Sequence, residues 1–133
     1  MATMDHIEEA TVEAFGDQIR GQVLRPGDDG YDDARSVWNA MVDKRPALIA
    51  RCTGAADVIA AVNLARDLDL RLAVKGGGHN VAGTAVCDDG LMIDLGPVNH
   101  VRVDPEAKTA RVGGGATWGE FDHEAQAFGL ATT

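Results

Sequence analysis

The segment Lys75-Gly76-Gly77-Gly78-His79-Asn80 gathers the residue types best suited to chemistry in this chain. Three successive glycines remove every Cβ from one surface of a loop, so backbone N–H groups can approach a bound anion closely, and a pyrophosphate suits such a surface. His79 follows directly, and a neutral imidazole is a competent nucleophile. The spacing departs from the two commonest phosphate loops. A dinucleotide fingerprint needs glycine where Val81 stands, and Gly78-x4-Gly83 is followed by Thr84-Ala85 where a Walker A loop requires Lys-Ser/Thr. Taken alone, the glycines also fit a tight turn that holds nothing.

Other candidates carry less. Gly113-Gly114-Gly115 precedes Thr117-Trp118-Gly119-Glu120, which has the S/T-x-x-E spacing of a capping box, so in isolation the glycines fit an anion site at a helix N-terminus. His6, His100 and His123 have no partner at ligand spacing, and no metal site is expected. Cys52 and Cys87 form no CxxC pair and are expected as buried, reduced thiols, Cys87 packing at the rim of the glycine loop.

Twenty-one acidic residues against 12 basic ones give a net charge of -9, a field that opposes polyanions, so no nucleic-acid partner is expected. No stretch approaches the roughly 20 apolar residues of a membrane span, and Met1 to Glu9 is acidic where a signal peptide is basic and then apolar. A cytoplasmic protein with no membrane partner is the expectation.

These residues must be positioned by secondary structure. Val12, Phe15 and Ile19 predict a short helix within residues 1–20, and a turn-rich acidic stretch, Arg25 to Asp33, leads to a second helix over Asp33–Met41. Residues 1–45 thus read as a helical arm and connection, and 46–133 as the domain proper. A buried strand at 47–52 leads to Thr53 as N-cap of a helix over 55–69. Val58, Ile59, Val62, Ala65 and Leu68 form the apolar stripe of that helix, with Asp57, Asn63, Arg66 and Asp67 outside. A strand at 71–75 completes a βαβ unit with an expected right-handed crossover, and 91–96 gives another strand. Val101–Val103 and Thr109–Val112 predict a hairpin. A helix over 117–128 should bury Phe121, Ala125 and Phe128 and stop at Gly129, with a strand beginning at Leu130–Thr133. The fold class is α/β (α+β): a small mixed sheet with a βαβ unit, a hairpin and flanking helices.

Several motifs stand in one order: Arg45-Pro46-Ala47-Leu48-Ile49-Ala50-Arg51, then Lys75 through Gly83, then Asp94-Leu95, then Val112-Gly113-Gly114-Gly115-Ala116-Thr117-Trp118-Gly119. Together they resemble the vanillyl-alcohol oxidase type of FAD-linked oxidases, whose FAD-binding domain is called PCMH-type. More narrowly they resemble the berberine-bridge-like and bacterial hydroxynicotine oxidases, over residues 31–133. The resemblance implies that Gly76, Gly77, Gly78 and Asn80 contact the FAD pyrophosphate and that His79 bonds covalently to the flavin 8α-methyl. Lys75, in a place often held by Arg or Ser, and Gly83 carry over as cofactor-binding positions. Gly113–Gly115 becomes a tight structural turn.

The resemblance further implies a whole protein that oxidises an alcohol, amine or sugar hydroxyl by hydride transfer to FAD, with oxygen as second acceptor and a small molecule as substrate. The second flavin subdomain, the substrate domain and the catalytic base would lie beyond Thr133, as would any second, cysteinyl attachment. This chain is then a first subdomain, expected to bind FAD weakly alone and to self-associate through uncovered strand edges. The alternative is an inactive fragment or interaction module, favoured if a stop codon follows Thr133.

Overall fold

The computed structural model describes residues 7–133, so the beginning of the arm, with His6, lies outside the described residues. Four short strands form one sheet: β1 (Gln22–Leu24), β2 (Leu48–Arg51), β3 (Leu72–Lys75) and β4 (Leu91–Asp94), in spatial order β1-β2-β4-β3. β4 runs parallel to both β2 and β3, while β1 is antiparallel to β2. The expected βαβ unit is therefore split, its two strands flanking β4.

All four residues of β4 are buried, as befits the centre of a parallel sheet covered on both faces. The strand period of two sorts the core. Leu48, Ala50, Leu91 and Ile93 meet Val12, Phe15 and Ile19 of helix α1 (Glu9–Gln18) and its exit, with Ala61 and Ala65 of helix α3 (Ala55–Asp67). Ile49 and Met92 face the other way, onto Leu24, Tyr31, Val86 and Cys87. β1, which the sequence pattern did not announce, joins the arm to the sheet.

Three local expectations change. Gly54, not Thr53, stands at the N-cap of α3. Thr53 instead donates its N–H and Oγ1 to Asp57 Oδ2, both at 2.9 Å, while Arg20 and Gly21 donate their amides to the same carboxylate at 2.9 and 3.0 Å. Asp57 is thus buried between arm and helix rather than solvated, and the apolar face of α3 is rotated: Ala61 and Ala65 are buried, Ile59 and Val62 exposed. Burial alone would raise the Asp57 pKa, but these hydrogen bonds outweigh it and the net shift is downward.

The second helix, α2, covers only Tyr31–Arg35. Ser36 takes extended angles and the Asn39 side chain accepts the Met41 amide at 3.0 Å, a local bond that competes with helix. Residues 36–41 are consequently non-helical, and the Trp38 amide donates to the Gly78 carbonyl at 3.0 Å.

The hairpin forms as expected from β5 (Val101–Asp104) and β6 (Thr109–Val112), as a separate two-stranded sheet. Helix α4 (Trp118–Gln126) has both halves of the Thr117–Glu120 capping box, and Gly129, in the left-handed region, follows its end. Of its three expected core residues only Ala125 is buried, whereas Phe121 is half-buried and Phe128 exposed. Leu130–Thr133 forms no strand; no neighbouring strand among the described residues pairs with it. No described helix is long and apolar enough to cross a membrane.

Candidate functional site

The glycine loop leaves the sheet at the carboxyl end of edge strand β3, where open α/β sheets collect their ligands. The last residues of three neighbouring strands, Arg51, Asp94 and Lys75, share one register row. Buried Asp94 accepts from Arg51 Nε at 3.1 Å and from the Gly96 amide at 3.0 Å. Lys75, also buried, donates its ammonium to the Ala34 carbonyl and, at 3.3 Å, to that of Ser36. Burial pushes its pKa down against the opposing pull of Asp94. The Lys75 side chain therefore underpins the loop by tying it to the end of α2.

Each glycine of the loop meets different surroundings. A Cβ added at Gly76 would come within 2.6 Å of the Gly114 carbonyl oxygen, so that position is closed by packing. At Gly78, φ is +76°, a conformation that favours glycine. Gly77 is open: an added Cβ would meet only His79 Cδ2, at 3.8 Å. Among the described residues the amides of Gly77 to Asn80 donate to no intramolecular acceptor. This is a Cβ-free floor with free donors, which fits a diphosphate.

His79 is exposed at the edge of that floor, its imidazole stacked on Trp38 with centroids 4.8 Å apart and planes 20° from parallel. Asn80 Oδ1 accepts the Thr84 amide and hydroxyl at 3.0 Å each, so its carbonyl shapes the following turn. Gly83, with φ +68°, lies against Val42, and its carbonyl accepts Lys44 Nζ at 2.7 Å. Lys75 to Asn80 are thus brought together, while Gly83 stands behind the loop.

Gly77 and His79 line a groove of about 1120 Å³ whose far wall includes Val112, Thr117, Trp118 and Phe121. The second glycine run faces no such opening. Gly113 and Gly115 donate amides to His100 and Val98 carbonyls at 2.8 and 3.0 Å, and a Cβ at either would overlap the carbonyl of Val98 or Leu95. Neither cysteine is set up as a nucleophile: burial, helped by the charges of Asp57 and Asp94, pushes Cys52 up to about 11, and burial raises Cys87. Sequence reasoning missed Trp38. Its signal was a large aromatic within the polar Ser36–Met41 stretch, outside any apolar stripe.

Comparison with known proteins agrees with this geometry. A family model described as an FAD binding domain matches residues 46–133. The (R)-6-hydroxynicotine oxidase of Paenarthrobacter nicotinovorans is 42% identical over 113 residues, 85% of this chain and 25% of the oxidase. An FAD-linked oxidoreductase of Dictyostelium discoideum is 36% identical over 120 residues, 90% of this chain and 26% of the relative. Among solved structures, 6-hydroxy-D-nicotine oxidase from Arthrobacter nicotinovorans superposes with a TM-score of 0.82 at 42% identity, again over 85% of this chain and 25% of the other. The chain spans about a quarter of the length of these relatives.

Proposed function

We propose, from the premise that this chain belongs to the FAD binding domain family, that it grips the FAD pyrophosphate on Gly76–Asn80 and bonds the flavin covalently through His79. The observation that carries this reading is the open floor at Gly77, where a Cβ would project beside His79 into the groove. Gly76 and Gly78 shape the loop; Gly77 leaves room for the ligand.

His79 would be the residue that holds the cofactor covalently: a nitrogen of its imidazole would bond to the flavin 8α carbon, with one methyl hydrogen, the imidazole N–H hydrogen and two electrons passing to dioxygen as hydrogen peroxide. When bound, the flavin supplies hydride acceptance, and the chain supplies placement. The backbone amides of Gly77 to Asn80 hold phosphate oxygens, Lys75 fixes the loop from below, and Asn80 sets the turn that follows His79.

The whole protein, in this reading, oxidises an alcohol, amine or sugar hydroxyl, with its substrate site and catalytic base supplied by other parts of the enzyme. The relatedness to a hydroxynicotine oxidase favours an amine among these. The isolated 133 residues hold FAD weakly, because phosphate contacts alone do not bring the 8α carbon within the roughly 3–3.5 Å that attack requires.

The test is His79→Ala in the full-length protein, read by flavin fluorescence in a denaturing gel and by thermal melting. The fluorescent band is expected to vanish while the melt stays within a few degrees of wild type. A band that persists in the variant assigns the bond to another residue and overturns the reading.

A further inference from the structure

We propose that Trp38 is a positioning residue for His79: by stacking on the imidazole it fixes the ring plane that His79 presents to the groove, before and during flavin attachment. This rests on the reading of His79 as the flavin-linking residue.

Trp38 is placed at evident cost. Its indole is 77% exposed, contributing little to either core cluster, although a tryptophan is among the most profitable side chains to bury. The chain holds it there with three ties. The Ser36 carbonyl accepts from Lys75 Nζ, Val37 lies 3.5 Å from where a Gly78 Cβ would stand, and the Trp38 amide donates to the Gly78 carbonyl at 3.0 Å. Two hydrogen bonds and one packing contact thus hold residues 36–38 against Lys75 and Gly78, beside His79. The early end of α2 at Arg35 gains a purpose: the non-helical segment that starts at the extended Ser36 brings the indole over the imidazole.

An exposed histidine rotates broadly about χ2, whose preferences are weak. Among the described residues no hydrogen bond reaches the His79 imidazole, and the near-parallel stack on Trp38 is the contact that orients it. The stack restricts rotation while leaving the ring edge, where both nitrogens lie, uncovered. An alternative function, merely shielding the loop, would affect phosphate binding and ring orientation together. Positioning predicts that the two separate.

The experiment uses full-length apoprotein from a riboflavin-auxotrophic host, in wild-type, Trp38→Ala, Trp38→Phe and His79→Ala forms. Covalent FAD uptake is followed by intact mass over time. In Trp38→Ala the rate is expected to fall roughly 10- to 100-fold, the scale of a misplaced reactant, with most of it restored in Trp38→Phe. Non-covalent FAD affinity, measured in the His79→Ala background, should change less than about twofold when Trp38→Ala is added, since the phosphate floor is untouched. In the apoprotein, the His79 Cε1–H resonance, assigned by its loss in His79→Ala, should be displaced by the indole ring current in wild type and relax in Trp38→Ala. Unchanged uptake in Trp38→Ala, or uptake that falls only in step with affinity, overturns the proposal. If His79→Ala itself takes up covalent flavin, the underlying assignment of His79 fails instead and the proposal falls with it, while the resonance shift still reports whether the stack exists.

Discussion

Two runs of three glycines meet at the carboxyl end of the sheet, Gly76 against the Gly114 carbonyl, and they differ in what surrounds their other residues. In Gly76–Gly78 the middle residue faces an open groove and the last adopts a left-handed φ. In Gly113–Gly115 none has positive φ, and the outer two press directly on carbonyls of Val98 and Leu95. The first run leaves its middle residue open to the groove, while the outer residues of the second are closed by the protein's own backbone. Glycine in a sequence reports that a Cβ is unwelcome, and only the neighbours tell what it would have struck.

The comparison predicts a sharp asymmetry between Gly115→Ala and Gly77→Val. At Gly115 even one methyl overlaps the Leu95 carbonyl as the chain leaves β4, where no flexible side chain can yield, so the loss should exceed about 4 kcal/mol or prevent folding. At Gly77 the added side chain enters open space, and stability should stay within about 1 kcal/mol of wild type because the unfolded chain also loses freedom. FAD retention, by contrast, should fall in Gly77→Val below that of His79→Ala. Urea unfolding of both variants beside their FAD content decides it, and equal stabilities with equal FAD content would erase the distinction.

Why one run was legible and the other less so follows from the same contacts. The Gly-Gly-Gly-His-Asn order and the motifs around it carried the flavin reading from sequence, and the strands expected at 47–52, 71–75 and 91–96 form at Leu48–Arg51, Leu72–Lys75 and Leu91–Asp94. The contacts of Gly113 and Gly115 with the carbonyls of Val98 and Leu95 join residues well separated in sequence and leave no local trace. Asp57 misled for a similar reason: its position in the helix pattern is that of a solvated residue, but its acceptors are filled by amides at positions 20 and 21, some 36 residues away. Trp38 was lost inside an expected helix because the chain leaves helical geometry at Ser36, before Trp38, and turns again at Asn39. Ile59 and Val62 remain exposed because an apolar residue at helical spacing states that a face is sticky, not which neighbour covers it.

A second difference is what lies beneath each run. Gly78 packs against the side chain of buried Lys75, whereas the neighbours of Gly113–Gly115 are Val98, His100, Leu95 and Gly96. Lys75→Met should cost about 1–3 kcal/mol at neutral pH, because the Ala34 and Ser36 carbonyls lose their donor. The pH dependence has a definite sign. Burial depresses the folded-state pKa of Lys75, so on raising the pH the folded protein releases this proton before the unfolded chain does, near pH 10.4. Between those two values wild-type stability rises with pH through this group, and the gap to Lys75→Met widens. Denaturant titrations from neutral pH into that alkaline window measure it; a gap that narrows means that Asp94 outweighs burial and that the loop rests on an ion pair.

The smallest effect lies where the second run hands the chain to α4, a step with no counterpart after the first run. Thr117 Oγ1 accepts the Glu120 amide at 3.4 Å, and Glu120 Oε2 accepts the Thr117 amide at 2.7 Å. The first bond is long and the second short, so the two halves of the capping box are unequal. Thr117→Ala removes that long bond and the hydroxyl's own donation to Glu120 Oε2 at 3.2 Å, and should cost about 1 kcal/mol, the usual value of an N-cap hydroxyl. The Glu120 pKa is lowered first by the Thr117 backbone amide and then by the Asn99 side chain, neither of which the substitution removes; the hydroxyl it does remove is the smallest of the lowering contacts. A carboxylate with a depressed folded pKa stabilises above its unfolded value, near 4.3, and that contribution is lost as the pH falls through the folded pKa. The acid-side loss of stability from Glu120 should therefore survive in Thr117→Ala and disappear in Glu120→Gln. Melting temperatures of the three proteins between pH 7 and 3 separate the halves. If Thr117→Ala flattens the acid limb as Glu120→Gln does, the hydroxyl and not the backbone amide holds the carboxylate, and the glycine turn before α4 then serves chiefly to aim that hydroxyl.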